Sequence, residues 1–354
     1  MKVFVNSNTG HSLGLAMRFE SDNHDVRFLC PNETGLGFVK LFDHKEEWHP
    51  DVVVYDSNDK AAEADSLRAQ GMKVLGPSKW SAMLEKDKSY AKSITTSLGW
   101  NNPTSKDGVN LYVSGWFNGV KFINKYSSLV YRRFMNGGIG PDLECTGVLT
   151  DFKGVTDKTR KRIFDPLEKI LKKVNHRGVV HVHLILKEND IEIAEINTSL
   201  VHPLSFVTFE NISVSSSDFL LKLFNESSET VANNERWGML VSVTTPPYPY
   251  NKMKEPVEIN GIAPEALKHM WPCEMVKVNN RVFVQGGGHL GYITTRGKHF
   301  IDPQGRVSEH NECIRRVYRT VKNLTGADFQ YRNDIGTKVG YVIQRLRQSG
   351  WLAE

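Results

Sequence analysis

Cysteine is scarce in this sequence, long apolar runs are missing, and neither sign of charge dominates. The four cysteines, Cys30, Cys145, Cys273 and Cys313, lie far apart and form no C-x-x-C pair. Spacing alone therefore indicates neither a disulfide framework nor a zinc site, and the four read as reduced thiols. No segment approaches the roughly eighteen uninterrupted apolar residues of a membrane-spanning helix. The start, "MKVFVNSNTGHSLGLA", runs into a short strand with no apolar leader, so a cytoplasmic protein is expected. A net charge of +5, from 45 basic and 40 acidic residues, is too small and too dispersed to indicate nucleic-acid binding. It suits a phosphate-bearing small ligand equally well. There is no internal repeat and no low-complexity tract. With 354 residues, 40% of them hydrophobic, the chain is long enough for two or three domains with cores of their own.

Four short apolar runs, "MKVFVNS", "DVRFLCP", "PDVVVYD" and "MKVLGPS", are separated by helix-like or loop-like stretches. That alternation predicts a parallel α/β domain over residues 1–95. "KWSAMLEKDKSYAKSITTSLG" has a helical pattern, with Gly99 as its stop. A second block, 96–235, reads as strands "NLYVSGWF" and "VKFINKY", a Gly-rich loop "MNGGIGPD", a charged helix within 156–174 and paired strands "GVVHVHLILK" and "IEIAEIN". The polar run "NESSETVANNER" reads as a linker. A β-rich third block, 236–354, carries "GMLVSVTT", "EMVKV", "RVFVQGG" and "LGYITTRG", then a long helix within 307–324.

Four local features bear chemistry. In "DIEIAEINTSLVHP", Glu195 and Asn197 stand two residues apart and so point the same way from a strand. A carboxylate and an amide oxygen so placed suit a hard cation such as Mg²⁺, although an edge strand with a wet face reads the same. Lys88 and Lys92, one helical turn apart, suit a phosphate or a solvated helix face. In "YRRFMNGGIGPD", Gly137, Gly138 and Gly140 free the backbone to aim amides at an anion, with Arg132 or Arg133 adding a bidentate contact. Glycine clusters also simply make turns. His181, His183 and His202 suit a transition metal or a polar pocket.

The order of these elements resembles phosphoribosylamine glycine ligase, a member of the ATP-grasp superfamily. "GPSKWSAMLEKDKSYAKSI" is similar to its Gly-Pro-Ser/Thr turn and Lys-bearing helix, and "IEIAEINTSLVHP" to its I-E-F-N-x-R-F-G-D-P segment. "FQYRNDIG" resembles its closing R-x-D-I-G, and the amino-terminal turn its first Gly-rich turn. The resemblance implies an ATP-grasp-like fold behind a Rossmann-like amino-terminal domain, with ATP and Mg²⁺ as cofactors. It implies Glu195 and Asn197 as magnesium ligands, and Lys88 with Lys92 at the nucleotide. Gly10, His11, Gly138, Gly140, Pro141, Asp142, Arg332 and Asp334 fall at the substrate, with Arg132 and Arg133 positioning the reacting partner.

Where the family inserts a lid between Pro103 and Val109, this chain has only "TSKDG", so the second ATP lysine has no counterpart. The family's G-G-R-E-H-A becomes "TGHSLGLA", and the Arg and Asp of its metal segment become Leu200 and His202. Two functions follow as expectations. One is an ATP-dependent ligase joining an amine to a small carboxylate such as glycine. The other is a divergent homologue without ATP use that binds a phosphorylated or nucleotide-like ligand or a partner protein, as in phage base modification.

Overall fold

The structure, a computed structural model, describes all residues except 106–107, 188–189, 254, 260–261, 263, 299–308 and 325–327, with 264–265 described as backbone only. Strands β1 (Lys2–Asn6), β2 (Asp25–Leu29), β3 (Val52–Tyr55) and β4 (Lys73–Leu75) form a parallel sheet in the order β2-β1-β3-β4. β3 is apolar throughout because both faces of a parallel sheet are covered. The helix Leu13–Ser21 follows β1 and buries Leu13, Leu15, Ala16 and Phe19. It packs closely on the carboxy-terminal half of the chain at Gly14, where an added Cβ would stand 2.9 Å from Trp271 Cα.

Eight strands make the second sheet, antiparallel throughout: β5 (Val109–Phe117), β6 (Phe122–Met135), β7 (Ile139–Asp151), β8 (Gly178–Leu186), β9 (Ile191–Asn197), β10 (Trp237–Thr244), β12 (Met270–Pro272) and β15 (His289–Gly297). Their order is β12-β15-β10-β7-β6-β5-β8-β9. β11 (Pro256–Ile259), β13 (Met275–Val278) and β14 (Arg281–Gln285) form a small third sheet. Because β10 pairs with β7, the large sheet runs unbroken across residue 236, and the second and third sequence blocks share one hydrogen-bonded layer.

Two local expectations need correction, and a third holds within its bounds. "MNGGIGPD" is the tip of a long hairpin: β6 runs on through Arg132 and Arg133 to Met135, and β7 already starts at Ile139. Gly137 and Gly138 take positive φ there, of 75° and 74°, which is what the tight reversal requires. "NESSETVANNER" is no free linker, since the Val231 amide donates to the Ile123 carbonyl and Asn124 Nδ2 to the Val231 carbonyl. The long terminal helix spans Glu309–Lys322. Residues 307–308 of that expectation lie outside the described residues.

Between the helix Lys88–Ser97 and β5 there are eleven residues, 98–108, and their described members form no helix and no strand beyond a single bridge from Asn101 to Glu192. The connection leaves no length for a lid subdomain. No helix among the described residues is long and apolar enough to cross a membrane.

Candidate functional site

The apolar positions of β9 are Ile191, Ile193 and Ile196, a spacing of two and then three. The register explains it. Ile193 pairs with Leu184, Glu195 with His183 and Ile196 with Val182, so Ala194 is the extra residue of a bulge. The three isoleucines thereby share one face with Leu186, Leu184 and Val182. Glu195 and Asn197 turn to the other, beside His183 and His181.

Glu195 opens onto a cleft of about 1040 Å³ on this face of the large sheet. Asn110, Tyr112 and Arg132 from β5 and β6 form its floor with His183 and Ile185 from β8. Thr337, Lys338, Val339 and Val342, around the start of the helix Val339–Gln348, form another wall. Arg132 joins the floor together: it donates to Tyr112 Oη at 3.2 Å and stands 3.5 Å from Glu195 Oε2 and 3.3 Å from Asp142 Oδ1. Tyr112 stacks on His183 with ring centroids 4.3 Å apart.

Two further carboxylates lie close enough to Glu195 to feel its charge, Glu85 and Glu144. The Glu85 carboxylate accepts from the Thr198 amide and from Asn58, and burial still pushes it up, with Glu195 adding to the shift. Glu144 keeps 53% of its side-chain surface accessible, yet the protein mass around it strips away enough solvent to push it up to about 7, with Glu195 and Glu85 adding and Arg132 opposing. Glu195, Glu85 and Glu144 thus repel one another, with Arg132 shared between Glu195 and Asp142 and Lys86 acting on Glu85, and a divalent cation at Glu195 would relieve part of that repulsion. Because the folded value of Glu144 lies above its ordinary 4.5, the folded chain holds this proton more tightly. Stability from this group therefore falls as pH rises from about 4.5 to 7. Glu144→Gln is expected to raise the unfolding midpoint at pH 8 and to leave it unchanged at pH 4. Equal shifts at both pH values would contradict the carboxylate cluster.

Asn197 lies on the same face as Glu195 but is buried beyond the cleft wall, its Oδ1 accepting from the Ser199 amide at 2.8 Å. Lys88 and Lys92, expected at the nucleotide, do not line the cleft. Their helix turns Tyr90, Ala91 and Ile94 toward the core, which leaves both lysines exposed on the outer side. Gly138 and Asp142 line the cleft; Gly140 and Pro141 do not. The hairpin tip does not aim its first free amide at an anion, because the Gly137 N–H donates to Asp334 Oδ2. Asp334 is held by Arg332 through two bonds of 2.8 Å, and Arg332 also donates to the Arg133 carbonyl. Arg332 and Asp334 thus clamp the tip, while Arg133 ties it internally by donating to the Gly140 carbonyl. Gly10 and His11 lie outside this cleft, and His11 lines a second groove.

The histidines His181, His183 and His202 do not form a metal cluster. His181 bonds Ser114 Oγ, His183 bonds Asn110 Oδ1, and His202 Nδ1 accepts from the Leu204 amide. Burial holds His183 down at about 4, with Arg132 adding, and burial holds His202 at about 3. Both are neutral packing groups at pH 7. Sequence reasoning missed Tyr112, Asn110, Glu85 and Glu144. The first two carry a signal in hindsight, since they alternate along β5 on the face that His183 shares.

No protein-family model and no curated protein matches this sequence. Comparison of the structure with solved structures does find likenesses. Phosphoribosylamine–glycine ligase from Thermotoga maritima superposes with a TM-score of 0.72 at 17% identity, over 94% of this chain and 100% of that one. The fold is the ATP-grasp fold. A biotin carboxylase–β-γ-ATP complex from Campylobacter jejuni matches with a TM-score of 0.60 at 10% identity, over 93% of this chain and 92% of that one. N5-carboxyaminoimidazole ribonucleotide synthetase from Thermotoga maritima gives 0.56 at 12% identity, over 93% and 99%. In this ATP-grasp fold the parallel sheet is the amino-terminal domain, and the eight-stranded sheet carries the Glu195 cleft.

Proposed function

We propose that the protein is an ATP-grasp-type ligase that joins an amine to a small carboxylate, and that Glu195 marks its nucleotide and magnesium site. The observation that carries this reading is the position of Glu195. An accessible carboxylate stands beside Arg132 on the wall of a cleft large enough for a nucleotide, within a fold shared with nucleotide-using ligases. The donors present fit a hard cation in part: Glu195 offers carboxylate oxygens to the cleft and Glu144 lies close enough to share its charge, while the Asn197 oxygen is taken by the Ser199 amide. A Mg²⁺ held there supplies neutralising charge for a phosphoryl group.

In the reaction, a carboxylate oxygen of the substrate takes the γ-phosphoryl group of ATP and releases ADP. The amine nitrogen then attacks the acyl carbon, and phosphate leaves with the former carboxylate oxygen. Arg132, tied to Tyr112 and Asp142, is placed to hold the anionic substrate group. The carboxylate is that of an amino acid such as glycine, and the amine belongs to a phosphorylated small molecule.

One observation favours a second reading, in which the cleft binds a nucleotide-like ligand without ATP turnover: the eleven-residue connection replaces a lid, and Lys88 and Lys92 face outward. Each missing charged hydrogen bond to the triphosphate removes roughly 1.5–3 kcal/mol. ATP·Mg²⁺ is accordingly expected to bind the isolated chain with a Kd of about 0.1–1 mM in calorimetry. ADP release is expected only when an amino acid and a phosphorylated amine are supplied together. Low-micromolar ATP affinity would contradict the uncovered phosphate site, and the absence of ADP release across a panel of such pairs would favour the second reading.

A further inference from the structure

A second cluster, sharing no lining residue with the Glu195 cleft, lies where the amino-terminal turn meets the carboxy-terminal strands. Gly10, at φ +81°, turns the backbone beside Cys273, where an added Cβ would be in ordinary contact, 3.5 Å, with the Cys273 carbonyl oxygen. His11 is thereby set against Cys273 and His289. One ligand atom from each of these three residues lies within 4.8 Å of the other two. Three side chains from positions 11, 273 and 289 meet at one point.

The state of His289 indicates what the point is for. The residue is 4% exposed, its Nε2 is 2.7 Å from Ser242 Oγ, and its Nδ1 is buried with no hydrogen-bond partner. A buried ring nitrogen without a partner is destabilising unless a ligand takes it up. With Nε2–H donating to the serine hydroxyl, Nδ1 presents a lone pair, the arrangement by which outer groups orient metal-bound histidines. Cys273 is fully buried, and its thiol makes only a long contact of 3.7 Å to the Trp271 carbonyl. Cys273 packs in the core, and it is the unpartnered His289 nitrogen that packing alone does not explain.

We propose that His11, Cys273 and His289 form a binding site for a zinc-type divalent cation. Two imidazoles and a thiolate suit a borderline-soft ion and not Mg²⁺, so this site differs in chemistry from the oxygen-lined one at Glu195. Tetrahedral bonds of about 2.0–2.3 Å place ligand atoms roughly 3.3–3.8 Å apart. Closure from 4.8 Å is a movement of about 1 Å, within reach of the groove-facing His11 side chain. Binding releases the thiol proton to solvent. The groove of about 620 Å³ lined by His11, Lys252 and Glu274 leaves one side of the ion open to water or to a small ligand. Three protein ligands with an open fourth position is the pattern of sites that act on a ligand, not of closed structural ones.

The test is titration of the reduced, full-length, tag-free chain with Co²⁺, followed by displacement with Zn²⁺. One equivalent with tetrahedral d–d bands and a thiolate-to-metal charge-transfer band is expected. Cys273→Ser should remove the charge-transfer band. His11→Ala, at a partly exposed position that leaves the fold intact, should weaken Zn²⁺ by at least about 100-fold, and Ser242→Ala by about 10-fold. Circular dichroism confirms folding of each variant. Absence of stoichiometric Co²⁺ binding, or an unchanged spectrum and affinity in folded His11→Ala and Cys273→Ser, would overturn the assignment. Glu195→Gln should leave the Co²⁺ spectrum as it is, which separates a failure of this site from a failure of the ligase reading.

Discussion

Glu195→Gln is expected to weaken Mg²⁺-dependent nucleotide binding by about 10- to 100-fold while leaving the thermal unfolding midpoint close to wild type. The affinity estimate is the loss of one charged contact, roughly 1.5–3 kcal/mol. The stability estimate comes from the geometry. Glu195 keeps 42% of its side-chain surface accessible, and its one ion pair, to Arg132, is 3.5 Å long. Accessible pairs of this kind contribute about 0.2–1 kcal/mol. Phosphorus NMR of the nucleotide, read with Mg²⁺ and with chelator, separates the effects. An unchanged nucleotide line width together with a large fall in the midpoint would make Glu195 a structural residue and remove the basis for the site.

The largest effect on stability is expected at Arg236. Asp151 lies on β7 opposite Trp237 with 1% of its side chain accessible, and Arg236 embraces it through bonds of 3.1 Å to Oδ1 and 2.9 Å to Oδ2. The same guanidinium donates to the carbonyls of Ala353 and Glu354, fastening that segment to the sheet. Burial pushes the Asp151 carboxyl up even with this partner in place. Arg236→Ala leaves a buried carboxylate uncompensated, which costs about 3–5 kcal/mol. Adding Asp151→Asn to that variant should recover part of the loss, since the charge is then gone. Urea unfolding of the two variants checks both statements, and a loss below about 1 kcal/mol for Arg236→Ala would show that the pair is not buried as described.

Much of the fold was legible because it rests on local pattern. The four short apolar runs before residue 76 are separated by helices after β1 and β3 and by a long loop after β2, and that alternation predicts a parallel sheet. The spacing of Ile191, Ile193 and Ile196 contained the bulge that aims Glu195 at the cleft, since a regular strand would have placed its third apolar residue at 195. What was not legible depends on partners far away in sequence. Nothing near Gly137 tells that its amide is taken by Asp334, almost two hundred residues on. The outward turn of Lys88 follows from what the opposite side of its helix packs against, which the i, i+4 spacing of two lysines does not reveal. His181 and His183 were ambiguous for the same reason: their serine and asparagine partners come from β5. His11, Cys273 and His289 carry no spacing signal, because strand pairing brings Cys273 to His289 and a loop more than 250 residues earlier in the chain brings His11 to both.

A crystal structure with Mg²⁺ and a non-hydrolysable ATP analogue bears most directly on the Glu195 cleft. Density is predicted along the face of the large sheet, with the phosphates toward Arg132 and an ion against the Glu195 carboxylate. Nucleotide bound outside this cleft, or an empty cleft at saturating analogue, would contradict the assignment of Glu195 as the magnesium ligand of an ATP-grasp-type ligase.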